Sequence, residues 1–207
     1  MPGPLKTEAI VLRSLRYGEA DRILHLYTPQ RGRLSAIAKG VRKARSRFGG
    51  RLEPFFRLQA MLHEGRSELL TVTGVETVAA HPRLREHGPA LDVAARCCDA
   101  VDRLFATDDP HPGVYALLSN ELALLEAEPD KATPANAIAF RLKLLLAAGL
   151  TPHLSACASC GSPSSNRRAT ASQARAAVSI DGPCSLSFRW PASVSTLVTV
   201  RRSLFPS

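Results

Sequence analysis

The sequence is poor in long apolar runs. None of its 207 residues lies in a stretch of about 18 uncharged apolar positions, so a membrane-crossing helix is not expected. The opening MPGPLKTEAIVLR has no apolar region ahead of its charges, and a secretory leader is not expected. Five cysteines, unevenly spread, do not look like a disulfide framework. A reducing cytoplasm is the compartment that fits. Catalytic signatures are missing as well. There is no Gly-x-x-x-x-Gly-Lys-Ser/Thr loop, no Gly-x-Ser-x-Gly and no His-Glu-x-x-His. The adjacent acids Asp108 and Asp109 sit beside Pro110, where helix capping is the simpler account. These absences point to a binding protein rather than an enzyme.

What is present begins with 45% apolar residues, enough for a core, and 22% charged residues, close to the ~25% of ordinary soluble proteins. Lysine and arginine number 27 against 18 acids, a net charge of +9. The excess is uneven. Residues 1–80 carry 14 bases and 7 acids, residues 81–150 carry 7 and 10, and residues 151–207 carry 6 and 1. A basic end, an acidic middle and a second basic end suggest separate units, and the cationic ends suggest a polyanionic partner.

The first unit, 1–80, reads as strands. Glu8–Leu15, Arg22–Thr28, Arg33–Lys39, Pro54–His63 and Glu68–Val78 are short apolar, β-branched runs. They are separated by turn-formers such as Tyr17-Gly18 and Pro29-Gln30-Arg31-Gly32. Five short strands fit a small closed barrel, the OB-fold or an SH3-like barrel. Residues 81–161 read as helices. Leu91, Ala94, Cys98, Val101 and Phe105 make one apolar stripe, and Val114, Leu117, Leu118, Leu122 and Leu125 make another. Thr133-Pro134 marks the start of a third helix running through Phe140, Leu142, Leu144, Leu145 and Leu146, and Gly149 marks its end. The fold class is therefore α+β. From residue 162 to 207 the chain turns Ser/Arg/Ala-rich, and no amphipathic period persists.

The strongest functional signal is the acid-free window Arg22–Leu52. Its candidates for phosphate contact are Arg31, Arg33, Lys39, Arg42, Lys43, Arg45, Arg47 and Arg51. A glycine-punctuated basic loop can follow a phosphate backbone through many weak contacts, with affinity supplied by counterion release. Tyr17, Tyr27, Phe48, Phe55 and Phe56 share the segment, and an exposed ring there can stack on an unpaired base. Core packing is the simpler role for most of these rings. Phe48 is the exception, because it lies inside the basic loop, and it is expected to be exposed. The competing account is a solvated basic loop on a barrel that binds nothing.

Cys157-x-x-Cys160 is half of a zinc knuckle. A second pair is expected ~15–20 residues later, but only Cys184 follows, and His153 is the other conceivable ligand. Cys97 and Cys98 are adjacent on a predicted helix and read as packing, with Cys98 inward. His25, His63, His81, His87 and His111 form no shared motif.

Read in order, Glu8-Ala9-Ile10-Val11-Leu12-Arg13 and Tyr17-Gly18-Glu19-Ala20-Asp21-Arg22-Ile23 resemble the opening of the bacterial RecO recombination mediators. Gly32 to Arg42, then Ser46-Arg47-Phe48-Gly49-Gly50-Arg51-Leu52-Glu53-Pro54-Phe55, continue the resemblance. So do Phe140-Arg141-Leu142-Lys143-Leu144-Leu145, Gly149-Leu150-Thr151-Pro152 and Cys157 to Gly161. The resemblance covers about residues 1–161. It implies an N-terminal OB-fold, a helical C-terminal domain and, in many members, a four-cysteine zinc knuckle, here degenerate. It implies binding of single- and double-stranded DNA and annealing of complementary strands. It also implies action with RecR to load RecA onto DNA coated by the single-strand-binding protein SSB, whose acidic tail meets the helical domain, where Arg141 and Lys143 stand. A cytoplasmic, nucleoid-associated protein would follow. Beyond Gly161 the second cysteine pair of the family is missing. A change of reading frame in a GC-rich gene gives such a tail, so residues from about 162 are expected not to be native family sequence. An RNA-binding OB protein of translation, or a zinc-ribbon interaction protein with a merely structural barrel, are the alternatives.

Overall fold

A computed structural model describes residues 4–43, 46, 48, 50–65, 69–105 and 108–150. Five strands come first: β1 Pro4–Tyr17, β2 Asp21–Thr28, β3 Gly32–Ala38, β4 Arg57–His63 and β5 Leu70–Ala79. Their two-residue alternation is what the sequence pattern predicts. In β3, Leu34, Ala36 and Ala38 point inward, while Arg33, Ser35 and Ile37 point outward. The strands close into a barrel in the order β1-β2-β3-β5-β4. β1 is long enough to serve two neighbours, pairing with β4 over Pro4–Ile10 and with β2 over Ile10–Tyr17. A register shift between Val11 and Arg13 bends it between the two. β3 meets β5 in parallel. This strand order is that of the OB-fold and decides against the SH3-like alternative.

The barrel interior is filled by Ala9, Val11, Leu24, Leu26, Leu34, Ala36, Leu58, Leu62 and Val72, with Phe48 and Leu52 entering from the β3–β4 connection. A second cluster lies outside the barrel. There Ile10, Leu12, Tyr27 and Phe55 pack with helices α1 Pro82–Glu86, α2 Gly88–Leu104, α3 Pro112–Ala127 and α4 Pro134–Ala147. Barrel and helices thus form one compact unit through Leu150. The chain from Thr151 onward lies outside the described residues.

Each helix starts with a proline in its first turn, where the missing N–H has no intrahelical partner to lose. Thr133 caps α4 by accepting from the Asn136 N–H at 3.2 Å, and Gly149 follows it with a left-handed φ of 73°, as the sequence signals predict. The apolar stripes need two corrections. Leu91 of α2 is exposed, and the buried face instead begins at Ala90 and Val93. On α4, Phe140 and Leu144 are buried while Leu142 and Leu146 face outward, because the neighbouring helices meet only one side of it. No described helix is long and apolar enough to cross a membrane.

Candidate nucleic-acid interface

The outward residues of β1, β2 and β3 form cross-strand rows. One row is Arg13–His25–Ser35, and the next is Leu15–Ile23–Ile37. Helix α2 lies against the first row through two carboxylates. Asp102, only 6% exposed, accepts from Arg33 Nε at 2.7 Å and His25 Nδ1 at 2.9 Å, with Arg13 Nε at 3.5 Å. Asp99 accepts from Arg13 at 2.8 Å and from Arg103 at 2.9 Å. A carboxylate this buried is tolerable only with such partners.

The β2–β3 turn is held similarly. A Cβ at Gly32, where φ is 63°, would stand 2.1 Å from the Asp109 carbonyl oxygen, so only glycine fits there. Asp108 N–H donates to Arg33 O at 3.2 Å. Arg31 then meets Asp108 at 2.9 Å and pairs with Glu64. The Glu64 hydrogen bond raises the Arg31 pKa above its ordinary value. Arg22 is engaged by Ser14 at 3.0 Å and Glu53 at 2.7 Å. Two of the sequence-predicted phosphate contacts, Arg31 and Arg33, are therefore held by carboxylates of this chain.

Lys39, Arg42 and Lys43 stand differently. All three are exposed, and none pairs with a carboxylate among the described residues. They occupy the turn that leaves β3. That turn is tied to the β1–β2 turn by Arg42 N–H to Ala20 O at 3.0 Å and Gly40 N–H to Asp21 Oδ1 at 2.8 Å. Arg16, which the sequence reading passed over, is exposed near the end of β1 at the same pole, opposite Arg22 in the ladder. Arg51 is half-buried and donates from Nε to the Phe48 carbonyl at 2.9 Å. Arg45 and Arg47 lie outside the described residues.

The aromatic expectation is overturned at both ends. Phe48, expected to be exposed, is 1% exposed and packs in the barrel interior with Leu52. Burying a phenyl ring stabilises by about 1.5–3 kcal/mol, which outweighs the polar character of its sequence neighbours. Tyr17, for which core packing was the simpler role, is 54% exposed. It lies in the outward phase of β1, opposite Asp21. Alternation from Leu15 would have placed it. Tyr27 and Phe55 are buried as expected, and Phe56 lies under the Arg85 guanidinium at 4.5 Å.

Three of the histidines serve the fold. His25 meets Asp102, His81 Nδ1 donates to the Phe55 carbonyl at 2.9 Å, and His87 caps α2 by accepting from Ala90 N–H at 3.3 Å. Cys97 and Cys98 are free and both buried, not Cys98 alone. Burial pushes the Cys97 thiol up to about 12 and Cys98 upward too, so neither is a thiolate at neutral pH. Among the described residues no group of three or more His, Cys, Asp or Glu side chains is placed to hold a metal. Cys157, Cys160, Cys184 and His153 lie outside the described residues. Apart from the buried Cys97 and Cys98, the sequence has one Cys-x-x-Cys pair and the lone Cys184, short of the four cysteines of a complete knuckle.

Residues 1–81 match the family model "Recombination protein O N terminal", and residues 85–204 match "Recombination protein O C terminal". The second match runs through the stretch beyond Gly161 that was expected to depart from the family. Among similar proteins, one from Anaeromyxobacter dehalogenans named DNA repair protein RecO is 41% identical over 160 residues, covering 77% of this chain and 62% of that protein. A protein of the same name from Myxococcus xanthus is 39% identical over 157 residues, covering 74% and 62%. Another, from Bifidobacterium adolescentis, is 41% identical over 167 residues, covering 77% and 65%. The chain thus spans a little under two thirds of the length of these relatives.

Proposed function

This chain belongs to the RecO family, and on that premise we propose that it is a non-enzymatic DNA-binding mediator of recombinational repair. The carrying observation is the group Lys39, Arg42 and Lys43, exposed and without carboxylate partners among the described residues, at one pole of an OB barrel. Phosphates neutralised there release counterions, which gives affinity without sequence preference. Annealing follows when two complementary strands are neutralised on such surfaces, because their mutual repulsion falls. The reading extends to RecR as a partner, to loading of RecA on SSB-coated single strands, and to capture of the SSB tail by the helical half. It places the protein at the nucleoid in the bacterial cytoplasm. The basic character of residues 1–80 against the acidic 81–150 supports DNA on the barrel rather than on the helices.

The test is annealing of complementary oligonucleotides coated with SSB, with and without RecR and without ATP. The expected result is annealing by the 207-residue chain that needs no nucleotide. Failure to bind or anneal naked complementary strands contradicts the reading.

A further inference from the structure

Among the described residues, helix α2 covers only part of the outer face of the barrel. Asp99 and Asp102 of α2 engage Arg13, Arg33 and His25, and the helix stops there. Among the described residues, no such ion pair from α2 reaches over the neighbouring row Leu15–Ile23–Ile37. Leu15 is 44% exposed, and Ile23 and Ile37 are half-buried. Tyr17 extends the row, two residues beyond Leu15 on the same face of β1. An exposed leucine and ring, flanked by two partly exposed isoleucines, are a standing cost in hydrophobic free energy.

What would cover them is indicated by their surroundings. The turn bearing Lys39, Arg42 and Lys43 is fastened to the β1–β2 turn just past Tyr17, at Ala20 and Asp21. Arg16 is adjacent in sequence. One acid in this turn, Asp21, already accepts from Gly40 N–H, and Glu19 is exposed. An apolar peptide would cover the row but leave the cations unmatched. A duplex would satisfy the cations but keeps its base faces stacked inside. A single strand offers both a phosphate rail and free base faces, and rings recognise such faces without sequence preference.

We propose that Tyr17 and the row Leu15–Ile23–Ile37 form a stacking platform for unpaired bases, beside the phosphate-holding Lys39, Arg42 and Lys43, and that this platform sets a preference for single strands over duplex. The inference rests on the DNA-binding reading and adds to it a specificity-determining residue.

The experiment measures binding of the full 207-residue chain to oligo(dT) and to a duplex of equal length across a salt series, for wild type, Tyr17→Phe and Tyr17→Ala. Tyr17 is exposed and its loss leaves the barrel interior untouched. Tyr17→Ala is expected to weaken single-strand binding about five- to hundredfold, with duplex binding and both salt slopes unchanged, while Tyr17→Phe keeps wild-type affinity. Equal losses on both DNAs, or no loss on oligo(dT), overturn the platform and leave the DNA-binding reading standing. A wild-type chain that binds neither DNA overturns both.

Discussion

One barrel carries two kinds of cation. Arg13, Arg22, Arg31 and Arg33 each face a carboxylate within 3.0 Å or less. Arg16, Lys39, Arg42 and Lys43 are exposed and have none among the described residues. In the sequence the two kinds are interleaved and chemically alike. In the fold they separate by partner. Arg13, Arg31 and Arg33 are held by α2 and the connections, and Arg22 is held by Glu53 although it lies at the open pole. The second set stands at that pole, unpaired among the described residues. Net charge therefore overstates the surface available to a polyanion. Only cations not already held by a carboxylate of the chain can neutralise a phosphate and so release a counterion from the polyanion.

The largest effect that bears on this division concerns Phe48, which belongs to the basic loop in sequence and to the barrel interior in space. Phe48→Ala should destabilise the fold by about 3–5 kcal/mol in chemical denaturation. A stable variant with selectively weaker single-strand binding would return Phe48 to the interface and blur the comparison.

Asp102→Asn comes next. It leaves Arg33 and His25 facing a neutral amide at a site 6% exposed. Because Arg13 is partly in water, the loss should fall somewhat short of a fully buried pair, at about 2–3 kcal/mol by urea melting. If stability holds while DNA binding rises strongly, then Asp102 is a removable competitor for phosphate rather than a structural anchor. Arg31→Ala is the smallest. Its carboxylates are substantially solvated, so about 0.5–1 kcal/mol is expected, with the salt dependence of DNA binding unchanged.

How much of this was legible beforehand depends on the range of the interaction. Strand alternation in β3, the Thr133 cap and the Gly149 stop are local, and the sequence displays them directly. Barrel closure was readable as a count of short strands, though not as an order, since the β3–β5 and β1–β4 pairings join distant segments. The fate of Arg33 and Arg31 was not readable. Asp102 lies 69 residues from Arg33, and Asp108 lies 77 from Arg31. Composition places these cations in a basic window, while the fold brings Asp102 and Asp108 to them from an acidic segment. Phe48 and Tyr17 exchanged roles for a related reason. A loop residue can turn into a barrel end, and a strand residue can point away from one. Tyr17 was recoverable by carrying the outward phase of Leu15 forward by two. Phe48 carried no such periodic signal.

The division is tested most directly by the salt dependence of single-strand binding in two variants measured side by side with wild type. Replacing Lys39, Arg42 and Lys43 together by alanine should reduce the magnitude of the slope of log K against log salt by about 2, from three lost phosphate contacts at ~0.7 each, while Arg31→Ala leaves it at the wild-type value. An unchanged slope in the triple variant, or an equal fall in Arg31→Ala, would contradict the account.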